Sequence, residues 1–200
     1  MPTTPSSSAA GDDRKPTARD PRYFLALIPP EPLASQVTAL KMEMQAHYHS
    51  SAALKSPPHI TLQAPFQWPL SDFATLHSTL QTVTHTQVAV NVELQGFGAF
   101  APRVIYIHVV PSSAEITLQA AISAQLQQAL ALPRDRRSFH PHMTIAFRDL
   151  SKRAFQQAWP AFEQRPFTGQ FTATALTLLR HRGHHWQIDR YYPLQPSDSL

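Results

Sequence analysis

Two pentapeptides, Pro58-His59-Ile60-Thr61-Leu62 and Pro141-His142-Met143-Thr144-Ile145, decide how this chain is organised. Each runs proline, histidine, apolar, threonine, apolar, and the two histidines are 83 residues apart. On an extended strand, residues two apart face the same way. Imidazole and hydroxyl therefore project together, while Ile60 and Leu62, or Met143 and Ile145, pack into a core. The spacing alone is weak evidence, because eleven histidines also supply His49-Ser50-Ser51 and His77-Ser78-Thr79. Those two lack the context. His77 and Thr79 fall in a helical pattern, where residues two apart point in different directions.

The segments around the pentapeptides repeat as well. Tyr23 to Ile28 is a short apolar run closed by Pro29-Pro30, which suits a buried strand. Leu33, Val37, Leu40, Met44 and Tyr48 recur on one face of a helix. His59 to Phe66 is extended. Ser71 is placed to cap a helix carrying Phe73, Leu76, Leu80 and Val83. Val88 to Leu94 alternates as a half-buried strand, Gly96 and Gly98 mark a turn, and Arg103 to Val110 returns. In the second half, Ser112 and Glu115 form a capping box before Leu118, Ile122, Leu126 and Leu130. Pro141 to Phe147 is extended, and Ser151 caps a helix with Phe155, Trp159 and Phe162. Phe171 to Leu179 is a strand, Arg182-Gly183 a turn, and His185 to Tyr192 the last strand.

Helix, short strand, helix and hairpin thus occur twice, over about residues 31–110 and 112–192. A duplicated α+β unit follows, with residues 21–195 as one bilobal domain. Each half has a single sheet face to bury. Two lobes facing each other bury more and leave a pocket between them.

The whole chain fits that size. Two hundred residues with 42% hydrophobic content supply one compact domain. A formal charge of +4 makes the surface mildly basic, which suits a polyanionic ligand. With no cysteine there is no disulfide, thiolate metal site or Cys nucleophile. No apolar run approaches the ~20 residues that span a bilayer. Residues 1–20 are rich in Ser, Thr, Pro and charge, without the apolar core of a secretory signal, and are expected to be a disordered tail. A cytoplasmic monomer is expected.

Paired His-x-Thr strands suit phosphodiester chemistry. One neutral imidazole activates a nucleophile as general base, while a second, protonated, protonates the leaving oxygen; each transfer is worth roughly 10²–10⁴ in rate. An unperturbed imidazole titrates near ~6.5, so both states coexist close to neutrality. The Thr hydroxyls can donate to the non-bridging phosphoryl oxygens.

With those segments in view, the chain resembles the 2H phosphoesterases, and within them the 2′-5′ RNA ligase-like, or RNA 2′,3′-cyclic phosphodiesterase, branch. The resemblance runs from about Tyr23 to the last strand. It rests on Tyr23-Phe-Leu-Ala-Leu-Ile-Pro-Pro30, the two His-x-Thr strands and Pro102-Arg103-Val-Ile-Tyr106. It implies a bilobal, pseudo-symmetric fold of two mainly antiparallel sheets with helices outside and a central cleft. It implies His59 and His142 as the catalytic pair, with Thr61 and Thr144 holding the phosphate. It further implies turnover without metal or nucleotide cofactor. The substrate would be an RNA 3′ end or small cyclic nucleotide, opened to a 2′-phosphate, with reversible 2′-5′ joining in some members.

One departure stands out. Many members carry Arg directly after the Ala of the second motif; here that place is Phe147, and Arg148 follows. If the strand stays regular, His142, Thr144, Ala146 and Arg148 share one face, and Arg148 reaches the cleft mouth. Tyr106 is a candidate for stacking on a base, and so is Phe66, although core packing suits either. Arg103, Arg134, Arg136 and Arg137 flank the motif strands and can attract phosphate. His181, His184 and His185 cluster at Gly183 without the spacing of a metal site, so a polar hairpin turn is expected. His140 either shares the cleft or simply precedes the strand. Two alternatives stay open: a non-catalytic RNA-end-binding module, and an enzyme of the same family acting on a non-RNA cyclic phosphate.

Overall fold

The computed structural model describes residues 17, 19–135 and 137–197. Most of the expected tail, residues 1–16 and 18, and Arg136 lie outside the described residues. The strand expected at Tyr23 forms as β1 (Arg22–Leu27). It reads as an unbroken apolar run because both of its faces are buried. Tyr23, Leu25 and Leu27 enter the main core, while Phe24 and Ala26 pack with Leu179 in a smaller cluster on the other side.

Helix α1 (Leu33–Tyr48) buries the predicted stripe and stops at His49, whose φ of 57° satisfies a left-handed cap. The first motif opens β2 (Ile60–Gln67), and α2 (Phe73–Thr84) follows. Ser71 does not cap α2. It lies in a short 3₁₀ turn over Leu70–Asp72, and no side chain caps the helix start. β3 (Val90–Phe100) and β4 (Val104–Val110) form the hairpin. Gly96 and Gly98 are not its turn: β3 runs through both. At Gly96, with φ 65°, the pairing with β4 slips in a bulge between Leu94 and Phe97. At Gly98 a Cβ would lie 2.5 Å from the Tyr106 ring opposite, so a side chain is excluded.

The capping box of Ser112 and Glu115 opens α3 (Ser113–Leu130) as expected, and the second motif is β5 (His142–Ala146). Ser151 accepts from Ala154 N at the start of α4 (Lys152–Phe162). The single strand expected over Phe171–Leu179 is two strands, β6 (Thr168–Ala173) and β7 (Ala175–Arg182), parted at Thr174; β8 (His185–Pro193) follows.

All eight strands belong to one sheet, in the order β6-β3-β4-β5-β2-β1-β7-β8, and every strand pair is antiparallel. The α+β, two-sided plan therefore holds, but the two expected sheets are joined. The join is slight: β2 and β5 meet through the single pairing Ile60↔Met143. Each side of it has four strands. Consecutive strands β6 and β7 pair near opposite ends of the strand order, one on β3 and the other on β1 and β8. With only Thr174 between them, the sheet has to curl until its two ends approach.

Candidate active site

The site lies where the two half-sheets meet. Ile60 and Met143 point into the core and are fully buried. Alternation then puts His59, Thr61, His142 and Thr144 on the opposite face. Because the strands are antiparallel, His59 lies across from Thr144, and Thr61 across from His142. Pro57, Pro58 and Pro141 have no N–H to extend the ladder upstream of either motif. The strands diverge there and open a cleft of about 650 Å³, lined by all four motif side chains.

Both imidazoles are held in the same way. His59 Nδ1–H donates to the Pro57 carbonyl at 2.8 Å, and His142 Nδ1–H to the His140 carbonyl at 2.7 Å. Nε2 is left on each ring to exchange protons with a ligand. The His59 ring packs on Phe24 at 4.8 Å, and His142 on Phe100 and Tyr106 at 5.1 and 5.2 Å. Burial pushes the His59 imidazole down to about 4, opposed by the Pro57 hydrogen bond and helped by the charges of Lys41 and His142. Burial also lowers His142, with the His140 carbonyl opposing and the His140 ring helping.

Arg148 lines the cleft, but not by regular alternation. Ile105 pairs Ala146 while Tyr106 pairs Thr144, so Ile145 is bulged out of the ladder. The strand ends at Ala146. Arg148 then sits at φ 61° in a γ-turn closed by Asp149 N donating to the Phe147 carbonyl at 2.7 Å. That turn brings both Phe147 and Arg148 to the cleft. Asp149 holds it in place: its carboxylate accepts from Ser50 Oγ, Ser51 N, Ser51 Oγ and Ala52 N at 2.8–3.2 Å. Burial raises this carboxyl, and those hydrogen bonds more than offset it, leaving Asp149 below the usual range.

A family model described as the 2′-5′ RNA ligase superfamily matches residues 29–185. The chain belongs to that superfamily, the 2H phosphoesterases. A Bacillus cytotoxicus protein that bears the name phosphoesterase is 28% identical over 124 residues, covering 61% of this chain and 67% of its own. A Bacillus pumilus protein of the same name is 27% identical over 127 residues, covering 62% and 69%. Among solved structures, E. coli LigT in apo form superposes with a TM-score of 0.64 at 22% identity, over 88% of this chain and 98% of its own. LigT complexed with 3′-AMP gives 0.63 at 20%, over 88% and 99%.

Three residues named from the sequence for substrate contact are not among the side chains that line the cleft of this 2H phosphoesterase. Arg103 is exposed at the β3–β4 turn, away from the cleft lining. Tyr106 is on the motif face, opposite Thr144, but is only 6% exposed. Phe100 covers it at 4.6 Å, so it buttresses His142 and offers no free face to a base. Phe66 packs against Tyr23 at 6.2 Å and joins the core. Of the loop arginines, Arg137 reaches the cleft, though paired to Asp135 at 2.6 Å, and Arg134 is exposed outside the lining. His181 and His184 line the cleft; His185 does not, and His140 is exposed beside it. Among the described residues no three His, Asp or Glu side chains converge as a metal ion requires. None of the helices described is long and apolar enough to cross a membrane.

Other lining residues escaped the sequence analysis, among them Arg22, Phe24, Lys55 and Trp186. Lys41 escaped it too. It is 2% exposed, and its Nζ donates to the Ser56 carbonyl at 3.1 Å. It thereby fixes the segment whose next carbonyl, on Pro57, holds His59. Its signal was in the sequence: Leu33, Val37 and Lys41 are successive i, i+4 positions of the buried stripe. Burial alone lowers its pKa to about 8.

Proposed function

We propose that this 2H phosphoesterase opens 2′,3′-cyclic phosphates, at RNA 3′ ends or on small nucleotides, to 2′-phosphates in the cytoplasm, with reversible 2′-5′ joining where an RNA 5′-hydroxyl attacks the cyclic phosphate in place of water. The observation that carries the proposal is the convergence of two carbonyl-anchored imidazoles and two Thr hydroxyls on one face of one cleft. His59, held lower, stays neutral and serves as general base. His142 serves as general acid. Water gives its proton to His59 Nε2 as its oxygen bonds to phosphorus. The bond from phosphorus to the 3′-oxygen breaks, and His142 Nε2–H protonates that oxygen. The phosphate remains on the 2′-oxygen. Thr61 and Thr144 hydroxyls donate to the non-bridging oxygens, whose charge grows in the transition state. The acid, the base and the donors all come from side chains, so no metal or nucleotide cofactor enters any step. Both motifs lie on one chain, which suits a monomer.

The test is a panel of 2′,3′-cyclic mononucleotides, oligonucleotides ending in a cyclic phosphate and 2′-5′-linked oligomers, assayed with chelator present. Turnover to 2′-phosphates, unchanged by chelator and lost in His59→Ala and in His142→Ala, is expected. A chelator-killed activity restored by a divalent ion would overturn the mechanism.

A further inference from the structure

The cleft holds more positive charge than one reacting phosphate uses. Arg22, Lys55, Arg137 and Arg148 line it, against the carboxylate of Asp149. Asp149 is committed to Ser50, Ser51 and Ala52, and Arg137 to Asp135. Arg22 and Arg148 make no ion pair among the described residues; each lies 5.5 Å from an aromatic ring, Trp186 and Phe147 respectively. The wall carrying Arg22 is aromatic. Contacts of 5.5, 4.7 and 4.8 Å lead from Arg22 to Trp186, from Trp186 to Phe24 and from Phe24 to the His59 ring. The guanidinium thus shares the cleft with His59 but stands two aromatic rings away. His181 packs on the same Trp186 at 4.9 Å. Arg22, Arg148, His181 and His184 all line this cleft, and the His181 imidazole is lowered by burial and then by the charges of Arg22, His184, Arg148 and His185. Such an array costs electrostatic energy when empty and gains it when an anion arrives.

We propose that Arg22, Arg148 and His181 form a second anion subsite, which takes a phosphate group of the substrate other than the one that reacts. The proposal rests on the phosphodiesterase reading of the same cleft. Guanidinium groups recognise phosphate by paired charge-assisted hydrogen bonds, and His181 gains a proton as the anion raises its pKa. The phosphate can belong to the preceding internucleotide linkage or be a terminal 5′-phosphate. A cyclic phosphate carrying either is a better substrate than a bare cyclic mononucleotide.

The experiment compares kcat/KM for adenosine 2′,3′-cyclic phosphate, its 5′-phosphorylated form, and a dinucleotide ending in the cyclic phosphate. The second phosphate is expected to raise kcat/KM by about tenfold or more, equivalent to ~1.4 kcal/mol. Whichever of the two compounds gains more identifies the source. Arg22→Gln should bring the ratio to the bare mononucleotide near one, and Arg22→Lys should restore part of it. Equal kcat/KM for all three compounds overturns the subsite. Equilibrium binding of adenosine 2′-phosphate and adenosine 2′,5′-bisphosphate tests it without turnover. Tighter bisphosphate binding that Arg22→Gln abolishes supports the subsite even if no cyclic phosphate is cleaved, an outcome that sinks the phosphodiesterase reading alone. Equal affinity for the two ligands overturns the subsite whatever the turnover shows.

Discussion

Lys41→Met should leave the protein as stable as before, or more so, at neutral pH while impairing catalysis. The wild-type ammonium is buried in α1, with the Ser56 carbonyl as its hydrogen-bond partner. The fall of its pKa from 10.5 to about 8, at ~1.36 kcal/mol per pH unit, makes the buried charge cost about 3 kcal/mol. A hydrogen bond from a charged donor returns ~1.5–3 kcal/mol of that. Methionine matches the stem, removes the charge and forfeits the bond, so the net change is a gain of ~0–2 kcal/mol. The sign of the pH dependence separates this cause from others. Between pH 8 and 10.5 the unfolded chain keeps the Lys41 proton and the folded chain does not, so wild-type stability rises with pH through that window. Below pH 8 both states are charged and the slope from this group vanishes. Denaturant unfolding of both proteins at about pH 7.5 and pH 10.5 isolates the contribution, by difference, at about 3 kcal/mol. Catalysis should drop because the Ser56–Pro57 segment loses its anchor. The acid limb of kcat/KM should move up as well, since the Lys41 charge helps to lower His59. Identical pH slopes in the two proteins would refute the reasoning.

Other outcomes follow from the same geometry. His59→Ala and His142→Ala should each cost several orders of magnitude in kcat/KM with folding intact, and the double variant far less than the product of the two, because both rings act on one transition state. The wild-type kcat/KM profile should be a bell with an acid limb near 4 from His59 and an alkaline limb below 6.5 from His142. The limbs of kcat should lie higher, because the bound anion favours both imidazolium forms; limbs of kcat at or below those of kcat/KM count against that pairing. Asp149→Ala frees the γ-turn and leaves the fully buried Ser50 hydroxyl without its partner, so it should cost ~1–3 kcal/mol and raise KM more than it lowers kcat. The Asp149 carboxyl is held low, so its stabilisation is present above the unfolded value of ~3.9 and fades as pH falls below it; Asp149→Asn should show no such fading. Gly98→Ala drives a methyl into the Tyr106 ring and should cost about 1–3 kcal/mol in thermal unfolding, with loss of activity through the displaced His142.

What was legible in the sequence was local. The α1 stripe, the Ser112–Glu115 capping box and the two His-x-Thr strands all form where periodicity and caps put them. The misses come from information that a strand does not carry in its own residues. Phe171 to Leu179 is one apolar-rich run, and nothing in it says that its first part pairs with β3 and its second with β1. Gly96 and Gly98 signalled a turn because glycine marks turns and bulges alike; the ring of Tyr106, eight residues further on, decides that Gly98 is a close approach. Tyr106 itself faces the right way, and only its neighbour Phe100 removes it from the substrate. Arg22 opens a buried strand and looks like an ordinary solvated charge until the β7–β8 hairpin brings Trp186 beneath it.

The exchange of elements between the two halves explains why so weak a joint can carry a site. Each half sends its closing hairpin to the other: β4 pairs with β5, and β7 with β1. The helices cross over too, α1 packing on β5 and α3 on β2, so each motif strand is backed by a helix from the opposite half. The backbone contact between the motifs is the pairing of Ile60 with Met143, and more ladder bonds there would close the gap between His59 and His142. The width of the cleft is therefore set by other contacts. Thr174 ties the far ends of the sheet on one side, while Asp149 ties the end of β5 to residues 50–52, upstream of β2. Two imidazoles on a continuous ladder would be close diagonal neighbours with no room for a phosphate. On strands that meet at one residue pair and are braced from outside, they keep both the gap and their alignment.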